Sequence, residues 1–334
     1  MKSSWACSAT AGLLCLPSIS ISHHSTAPHY DREQPVTFSG VVAEFEFINP
    51  HVVLHVDVTG ENDTTDTWVC ISTAANMLRR QGWTATQFVP GQIVTVSGIA
   101  ARRDPLGCAF TAVESGGTTI EGRGAVEPAA PEPAIEAPVL AGTWMRDRTR
   151  RTDARSTTTA GDPDTFTAAG LAAQAGYDQR FDDPSFECSA ASITRVWGEP
   201  GTPTEIEQTD QQVIIRHEYM DTVRTIPLGN VARPADPEPR PYGYSIGWYE
   251  GSTLVIDSVG FGAGVLTPHP GVLHSDRLHV VERISVNSQD GTMELEWTAE
   301  DPLFFRQPLS GSNRYIASPF SVEPYGCVPE KAQR

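Results

Sequence analysis

Residues 242–261 read YGYSIGWYEGSTLVIDSVGF, and after a loop rich in glycine, proline and histidine, residues 274–284 read HSDRLHVVERI. Within them, residues 253–259 and 278–284 have the β-branched, alternating composition of strands. Successive side chains of a strand point to opposite faces of the sheet. One face of the second run therefore carries Leu278, Val280, Glu282 and Ile284. Glu282 thus interrupts an apolar stripe, and such a carboxylate must be paired, neutral or facing a cavity.

The second half of the chain consists of short alternating runs separated by turn residues, between positions 205 and 317. Strands at this spacing with hairpin turns predict a meandering antiparallel barrel. With the apolar faces inward, five polar side chains turn toward the interior: His217, Tyr219, Arg224, Glu282 and Asp257. Asp257 shares its face with Val255 and Val259. The opposite face carries Leu254 and Ile256, which compete for the core, so the side of Asp257 stays open.

Length and charge limit the classes of protein to consider. A chain of 334 residues is long enough for two domains with cores of their own. It carries 24 Lys and Arg residues against 41 Asp and Glu residues, a net charge of -17. Nucleic acid and anionic membrane surfaces would repel such a chain, so neither is expected as a partner. The charge otherwise indicates an acidic surface in contact with water.

Residues 1–22 have the features of a secretory signal peptide. Lys2 provides the positive start, residues 9–16 form a short apolar core, and Ser20 and Ser22 suit the cleavage site. The core is too short to span a bilayer, and no later segment approaches the ~20 apolar residues of a spanning helix. We therefore expect a periplasmic or secreted protein, without membrane insertion, whose mature chain begins at His23.

Four cysteines remain after the predicted cleavage. An even number of cysteines in an exported chain indicates disulfides, and four allow three pairings. We expect Cys70–Cys108 and Cys188–Cys327, one in each domain, with free buried thiols as the alternative. The absence of a CxxC motif argues against a zinc or redox site.

Composition divides the chain into two domains. Residues 23–121 contain several strand-like runs and one short helix at 74–82, which predicts a small closed or partly closed barrel of the oligonucleotide/oligosaccharide-binding type. Residues 122–139 (GRGAVEPAAPEPAIEAPV) are rich in Pro, Ala and Glu and predict a stiff, extended linker. Residues 140–334 form the larger antiparallel barrel.

Both halves resemble known sequence families. The pattern HHS, YD, VTFSGVVAEFEFINPH, TAANMLRR and PGQIVTVSG resembles a family of small exported bacterial domains of unknown function over residues 23–121. That resemblance implies a domain and a compartment, and it implies no activity. HEYMDTVRTI, SIGWYEGSTLVIDSVGF and HSDRLHVVERI are similar to a run in exported bacterial proteins of unknown function, over residues 170–330. This chain departs from that run at Tyr249, where those proteins have Trp, and at Ser252, where they have Asp.

The start of the second domain is similar to the lipocalin pattern. Trp144 follows Gly142 after one residue, and Arg314 lies in the last strand. In lipocalins a Trp near the first strand packs against an Arg from the last. The resemblance implies a lipocalin-like barrel that holds a ligand.

The inner face of that barrel is the first candidate site. Glu282 or Asp257 could accept a proton and Tyr219 or His274 could donate one, which suits isomerisation, elimination, cyclisation or hydrolysis of a small molecule. The expected ligand-binding walls are His217, Arg224, Trp248, Tyr249 and Trp297. The alternative is a structural Arg224–Glu282 ion pair that closes one end of a filled barrel.

The second candidate is a metal site of His23, His24 and His51, with His29 nearby. A free terminal amine next to a histidine ring favours copper. The alternative is a solvated terminus and a structural Asn-Pro-His turn. The sequence contains no P-loop or dinucleotide fingerprint, so we expect that no cofactor is required. We expect a small, largely apolar ligand in the second barrel. The alternatives are a cofactor-independent acid–base enzyme in the same cavity and a periplasmic copper-binding module.

Overall fold

The computed structural model describes residues 29–60, 63–122, 140–147, 163–199, 201–229, 231–233 and 238–330. The predicted signal peptide, His23, His24 and almost all of the predicted linker lie outside these ranges. The described residues form two β-barrels, as the sequence predicts. Within the described ranges, none of the helices has the length and apolar composition needed to cross a membrane.

The first barrel is built from residues 29–122. Its elements are β1 (Tyr30–Glu46), β2 (Val53–Thr59), β3 (Thr65–Ile71), α1 (Ala75–Arg80), β4 (Ile93–Ala101), β5 (Gly107–Ser115) and β6 (Thr118–Glu121). The strand order is β3-β2-β1-β4-β5-β6, and β3 also pairs in parallel with β5. That pairing closes β1 to β5 into a five-stranded barrel around a core that includes Val42, Leu54, Val56, Leu78, Val96 and Phe110.

A disulfide lies on the closing strand pair of the first barrel. Cys70 and Cys108 are direct partners between β3 and β5, with their Cα atoms 4.4 Å apart, and they form the predicted disulfide. Both side chains are fully buried. The bond therefore joins the two strands at which the barrel closes.

The second barrel begins at residue 140. Its strands are β7 (Gly142–Arg146), β8 (Thr204–Gln208), β9 (Gln212–His217), β10 (Thr222–Pro227), β11 (Tyr244–Glu250), β12 (Thr253–Val259), β15 (His279–Val286), β16 (Met293–Glu300) and β17 (Leu309–Ala317), in the order β10-β9-β8-β7-β17-β16-β15-β12-β11. The hairpin β13 (Gly264–Thr267) and β14 (Val272–His274) and the helices α2 (Ala168–Ala175), α3 (Gln179–Asp182) and α4 (Ile193–Gly198) lie outside this sheet. Neighbouring strands of the nine-stranded sheet are antiparallel.

The nine-stranded barrel is nearly closed. Its outer strands, β10 and β11, meet through a bridge between Leu228 and Gly247, and the Gly229 amide donates to the Gly247 carbonyl at 2.9 Å. A Cβ on Gly247 would lie 3.0 Å from Ile226, so the small residue lets the two strands approach each other.

Helix α4 covers one end of the second barrel. Ser192 caps its first turn by accepting from the Arg195 amide, and the Ser192 hydroxyl also donates to the Leu266 carbonyl of β13 at 2.7 Å. At the other end of the helix, Tyr315 of β17 donates to the Trp197 carbonyl. Trp197 is 1% exposed and belongs to the barrel core. The helix therefore inserts an indole ring among the side chains of the barrel interior.

The Trp–Arg contact implied by the lipocalin resemblance is not formed. Trp144 is buried in the barrel core, and its indole donates to the Leu140 carbonyl at 2.9 Å. Tyr315 points inward from β17, so its neighbour Arg314 points outward, where it pairs with Asp290 and Asp147. Because the two side chains lie on opposite faces of the sheet, they cannot pack together.

The two barrels are in contact through polar and apolar groups. Arg80 of α1 forms a bidentate ion pair with Glu218, whose side chain is fully buried. After β17 the chain continues along this contact, and the predicted Cys188–Cys327 disulfide fixes it to the segment that precedes α4. Both predicted disulfides are therefore present.

Candidate functional site

Glu282 lies inside the second barrel, as strand alternation predicts. It is on β15, opposite Ile256 of β12 and Trp297 of β16, and is 1% exposed. Its neighbours on the same face, Leu278, Val280 and Ile284, are also buried. A carboxylate at such a position needs partners that replace water.

Two side chains supply those partners. Arg224 of β10 donates from Nη1 to Oε1 of Glu282 at 2.8 Å and from Nη2 to Oε2 at 2.5 Å. Trp197 of α4 donates from Nε1 to Oε1 at 2.5 Å. Nη2 of Arg224 also reaches the Ser245 hydroxyl at 3.3 Å, and that hydroxyl lies 2.8 Å from the hydroxyl of Ser258. The charges of the ion pair are thus matched, and both oxygens of the carboxylate have donors.

Two other polar atoms of this interior are unpaired. Nε2 of His217 and Nε of Arg224 are buried and have no hydrogen-bond partner among the described residues. His217 is opposite Thr222 on β10, two positions from Arg224, so both side chains enter the barrel from diagonally adjacent positions. Buried polar groups are rarely left without a partner in folded proteins, so these two atoms require an explanation.

The other nitrogen of the His217 ring, Nδ1, has a hydrogen-bond partner. Its Nδ1 lies 2.8 Å from the Thr204 hydroxyl, which is opposite it on β8. The ring packs edge-to-face on the indole of Trp197, with centroids 4.6 Å apart. Burial, and next the charge of Arg224, hold the pKa of His217 well below its usual 6.5. The imidazole is therefore neutral at neutral pH, with one nitrogen as donor and the other as acceptor.

The structure does not bring the four predicted acid–base residues together. Tyr219 follows the end of β9 and packs against Tyr325 and Arg195 on the side of the first barrel. Burial raises the pKa of Tyr219 above its usual value, although Arg195 opposes the shift. Asp257 points outward and pairs with Arg233 and His279.

His274 is also separate from Glu282. It ends β14, its ring packs edge-to-face on Phe261, and its Nδ1 lies 2.9 Å from the Ser275 carbonyl. Burial lowers the pKa of His274. Of the predicted acid–base set, Glu282 alone lies in the polar interior with Arg224 and His217.

Only some of the predicted ligand-binding residues lie inside the barrel. Trp297 is 7% exposed and packs over Gly311 of β17, where a Cβ atom would lie 2.5 Å from the indole. Trp248 lies on the outer face of β11 and donates to Glu250 at 3.1 Å. Tyr249 is 38% exposed. His217, Arg224 and Trp297 therefore lie on the inner face and Trp248 on the outer face. Tyr249 is the cross-strand partner of the buried Leu254, so it lies on the inner face at the exposed end of β11.

The sequence reasoning missed four members of the interior network: Trp197, Ser245, Ser258 and Thr204. The sequence of residues 182–203 shows no regular pattern, although Ser192, which accepts from the Arg195 backbone amide, begins a helix there. The N-capping serine was the available signal. Ser245 alternates with Tyr244 and Ile246 on a strand that was predicted, but its partner Arg224 is distant in sequence.

His51, the one predicted metal ligand that the structure describes, lies at the contact between the barrels. Its Nδ1 is 2.5 Å from Oε1 of Glu330. Burial lowers the pKa of His51, but the hydrogen bond and charge of Glu330 outweigh it, so the net shift is upward. Burial, and next the charge of His51, lower the pKa of His29. His23 and His24 lie outside the described residues.

A different set of residues has the spacing of a metal site. Among the described residues, ligand atoms of Glu44, Glu46 and His55 lie within 4.8 Å of one another. His55 is opposite Glu44 on the β1–β2 pair, and Glu44 is exposed. This cluster contains none of the predicted metal-binding histidines.

The chain is thus a pair of β-barrels, the second with a buried polar network. Residues 10–108 match the model of a family of unknown function (DUF6152), which covers most of the first barrel. No curated protein matches the chain. Among solved structures, the crystal structure of a mutant of the fluorescent protein UnaG is 14% identical and covers 54% of this chain and 96% of that chain. The TM-score of 0.26 is too low to support an argument from that similarity.

Proposed function

We propose that the second barrel holds a small, largely apolar ligand that carries one hydrogen-bonding oxygen. The observation that supports this proposal is the pair of unpaired buried atoms, Nε2 of His217 and Nε of Arg224. The Arg224–Glu282 ion pair alone suits a structural role equally well. A structural pair does not account for two polar atoms that lack partners.

The chemistry of these two atoms limits the ligand. Nε of Arg224 can only donate, because the guanidinium stays protonated in proteins, so it requires an acceptor oxygen. The neutral His217 ring can meet a hydroxyl or a carbonyl with its free nitrogen. The surrounding side chains are apolar or aromatic, among them Ile215, Leu295 and Trp297. A hydrophobic alcohol or ketone fits this combination.

Native mass spectrometry of the full chain, purified from an oxidising compartment without denaturation, tests the proposal. We expect a retained organic mass that is removed by solvent extraction and rebinds at one per chain. Arg224→Lys keeps a cation beside Glu282 but removes Nε, and should weaken rebinding about 10- to 150-fold. His217→Phe removes a neutral partner and should weaken it about 2- to 10-fold.

The matched control is Arg216→Lys, since Arg216 points outward from β9 and pairs with Glu207. We expect this variant to bind as the wild type does. A bare chain that takes up no hydrophobic alcohol or ketone would reject the proposal. Equal binding by wild type, Arg224→Lys and His217→Phe would place any ligand elsewhere.

A second candidate is copper binding through His51 and the N-terminal histidines. The observation that favours it is the His51–Glu330 contact, because metal-binding histidines usually donate their other ring N–H to a carboxylate. Nδ1 is held by Glu330, which leaves Nε2 for an ion. In this proposal Nε2, His23 and His24 bind the ion.

Copper titration by calorimetry, with the chain starting at His23, tests this candidate. We expect one ion per chain, loss of binding in His51→Ala, and binding about 10- to 100-fold weaker in Glu330→Gln. His55→Ala is the control. If His55→Ala abolished binding and His51→Ala did not, the ion would belong to the Glu44, Glu46 and His55 cluster.

Two disulfides support a further proposal, that the protein works in the periplasm or outside the cell, where disulfides persist. Fractionation of the source cells, with the chain followed by an antibody, tests it. Recovery in the cytoplasm with all four cysteines reduced would refute it.

A further inference from the structure

We propose that the first barrel carries a recognition site for an extended peptide of the type Pro-Tyr-Gly-x-x-x-Glu, and that the chain's own C-terminal residues occupy it. The occupying segment, residues 318–330, is called the C-terminal strap. Residues 324–330 read PYGCVPE. The site is formed by the turn between β1 and β2 and by helix α1.

Two buried asparagine side chains of the first barrel bind the main chain of the strap. Asn49 donates to the Tyr325 carbonyl, and Asn76 donates to the Pro324 carbonyl at 3.3 Å. Asn49 is 4% exposed and Asn76 is 2% exposed. The backbone amide of Asn76 donates to Oδ1 of Asn49 at 3.2 Å, which fixes the orientation of the Asn49 side chain. Consecutive carbonyl groups are therefore recognised by a pre-formed pair of donors.

The main chain of the first barrel adds a strand-like contact. Asn49 forms a parallel bridge with Cys327, and the Val328 amide donates to the Asn49 carbonyl at 2.7 Å. Peptides that add to a barrel or sheet in this way gain affinity from main-chain hydrogen bonds and specificity from side-chain pockets.

Two side chains of the strap supply that specificity. Tyr325 is 3% exposed and packs with Ala74 of the first barrel and with Ala190, Val196 and Tyr219 of the second. Glu330 reaches His51, with Oε1 2.5 Å from Nδ1. An aromatic residue followed five positions later by an acidic one therefore matches the site.

The second barrel holds the strap from the opposite side. The carboxylate of Asp221 accepts from the Tyr325 amide at 2.8 Å and from the Gly326 amide at 3.1 Å. The Cys188–Cys327 disulfide attaches the strap covalently to the second barrel. The strap is thus joined covalently to the second barrel, through the chain after β17 and the Cys188–Cys327 disulfide. The first barrel binds it through side-chain hydrogen-bond donors. This arrangement is that of a ligand supplied in cis.

Two experiments test the proposal. In the full-length chain, hydrogen exchange of amides 323–330 is measured by mass spectrometry for wild type and for Asn49→Ala. We expect the variant to exchange these amides at least about tenfold faster, because a buried carbonyl loses its donor. Asn313→Ala, a partly buried asparagine on β17, is the matched control and should leave the exchange of the strap unchanged.

The second experiment supplies the peptide in trans. A chain that ends at residue 317 and carries Cys188→Ser is mixed with a labelled synthetic peptide of residues 318–330 carrying Cys327→Ser. We expect saturable binding at one peptide per chain, weakened at least about tenfold by Asn49→Ala in the protein or Tyr325→Ala in the peptide. Failure of the folded, shortened chain to bind the peptide would overturn the proposal. If that chain does not fold, the exchange experiment decides, and unchanged strap exchange in Asn49→Ala overturns it.

Discussion

Replacing Glu282 by glutamine tests the energetics of the buried network in the second barrel. The carboxylate is 1% exposed, and the Arg224 side chain that it pairs with is 4% exposed. Glutamine keeps the shape and still offers a carbonyl oxygen to Trp197. It removes the negative charge and places an amide donor opposite the Nη2 donor of Arg224. The guanidinium is left without a counter-ion, so we expect a loss of about 3–5 kcal/mol in the free energy of unfolding.

The double variant Arg224→Met/Glu282→Leu separates charge from packing. Replacing a whole buried ion pair by apolar residues of similar volume is often neutral or stabilising. One cost remains, because the Trp197 indole N–H loses its acceptor, about 1–3 kcal/mol. We therefore expect the double variant to be more stable than either of its single variants, Arg224→Met or Glu282→Leu.

The assay is urea unfolding at neutral pH with the disulfides intact, followed by near-ultraviolet circular dichroism. Glu294→Gln is the control, since Glu294 lies on the exposed face of β16 and should change stability by less than about 0.5 kcal/mol. A Glu282→Gln variant as stable as this control would refute the charge argument. Additive losses in the double variant would show that Arg224 and Glu282 do not act as a pair.

Three further predictions concern single residues. The pKa of His51 is raised in the folded state, so the folded protein binds this proton more tightly than the unfolded protein does. The resulting stabilisation is complete below about pH 6.5 and is lost as pH rises through the folded pKa. In metal-free protein, His51→Gln should therefore lower the free energy of urea unfolding more at about pH 5.5 than at about pH 8.5, and equal losses at the two pH values would contradict this. The pKa of His217 is lowered in the folded state, so its effect on stability has the opposite pH dependence. The wild type should lose stability as pH falls below about 6.5, and His217→Phe should lose less, as acid titration followed by fluorescence would show. Gly311→Ala would place a Cβ atom 2.5 Å from the ring of Trp297 and should lower the free energy of unfolding by about 1–3 kcal/mol. In the control, Gly198→Ala, the new Cβ atom meets no atom within 4 Å, so the free energy should change little. Equal effects of the two substitutions on the melting temperature would count against the overpacking argument.

Strand alternation predicted much of the polar interior. The two-residue period placed Glu282, Arg224 and His217 inside because their strands are regular and half-buried. The same reasoning failed for Tyr219, which was expected on the inner face of β9. That strand ends at His217, and the turn that follows, with Met220 at a φ of 55°, directs Tyr219 toward the first barrel.

Contacts between distant parts of the chain could not be predicted from local patterns. Trp197 reaches Glu282 from a short helix 85 positions away in sequence, and no periodicity links the two segments. The outward position of Asp257 depended on which side of β12 the core occupies, and Ile256 decides it by packing inside. The parallel pairing of β3 with β5 was not predicted either, although the expected Cys70–Cys108 disulfide brings the two strands together.

The Cys70–Cys108 bond has a consequence for how the protein is produced. An open first barrel would present the unpaired edges of β3 and β5, and exposed strand edges promote pairing between chains. Because Cys70 and Cys108 are direct partners on β3 and β5, the bond holds these two edges side by side. Recombinant expression in a reducing cytosol would leave that closure without a covalent bond. Soluble yield should therefore depend on the redox state of the host compartment, independently of any ligand.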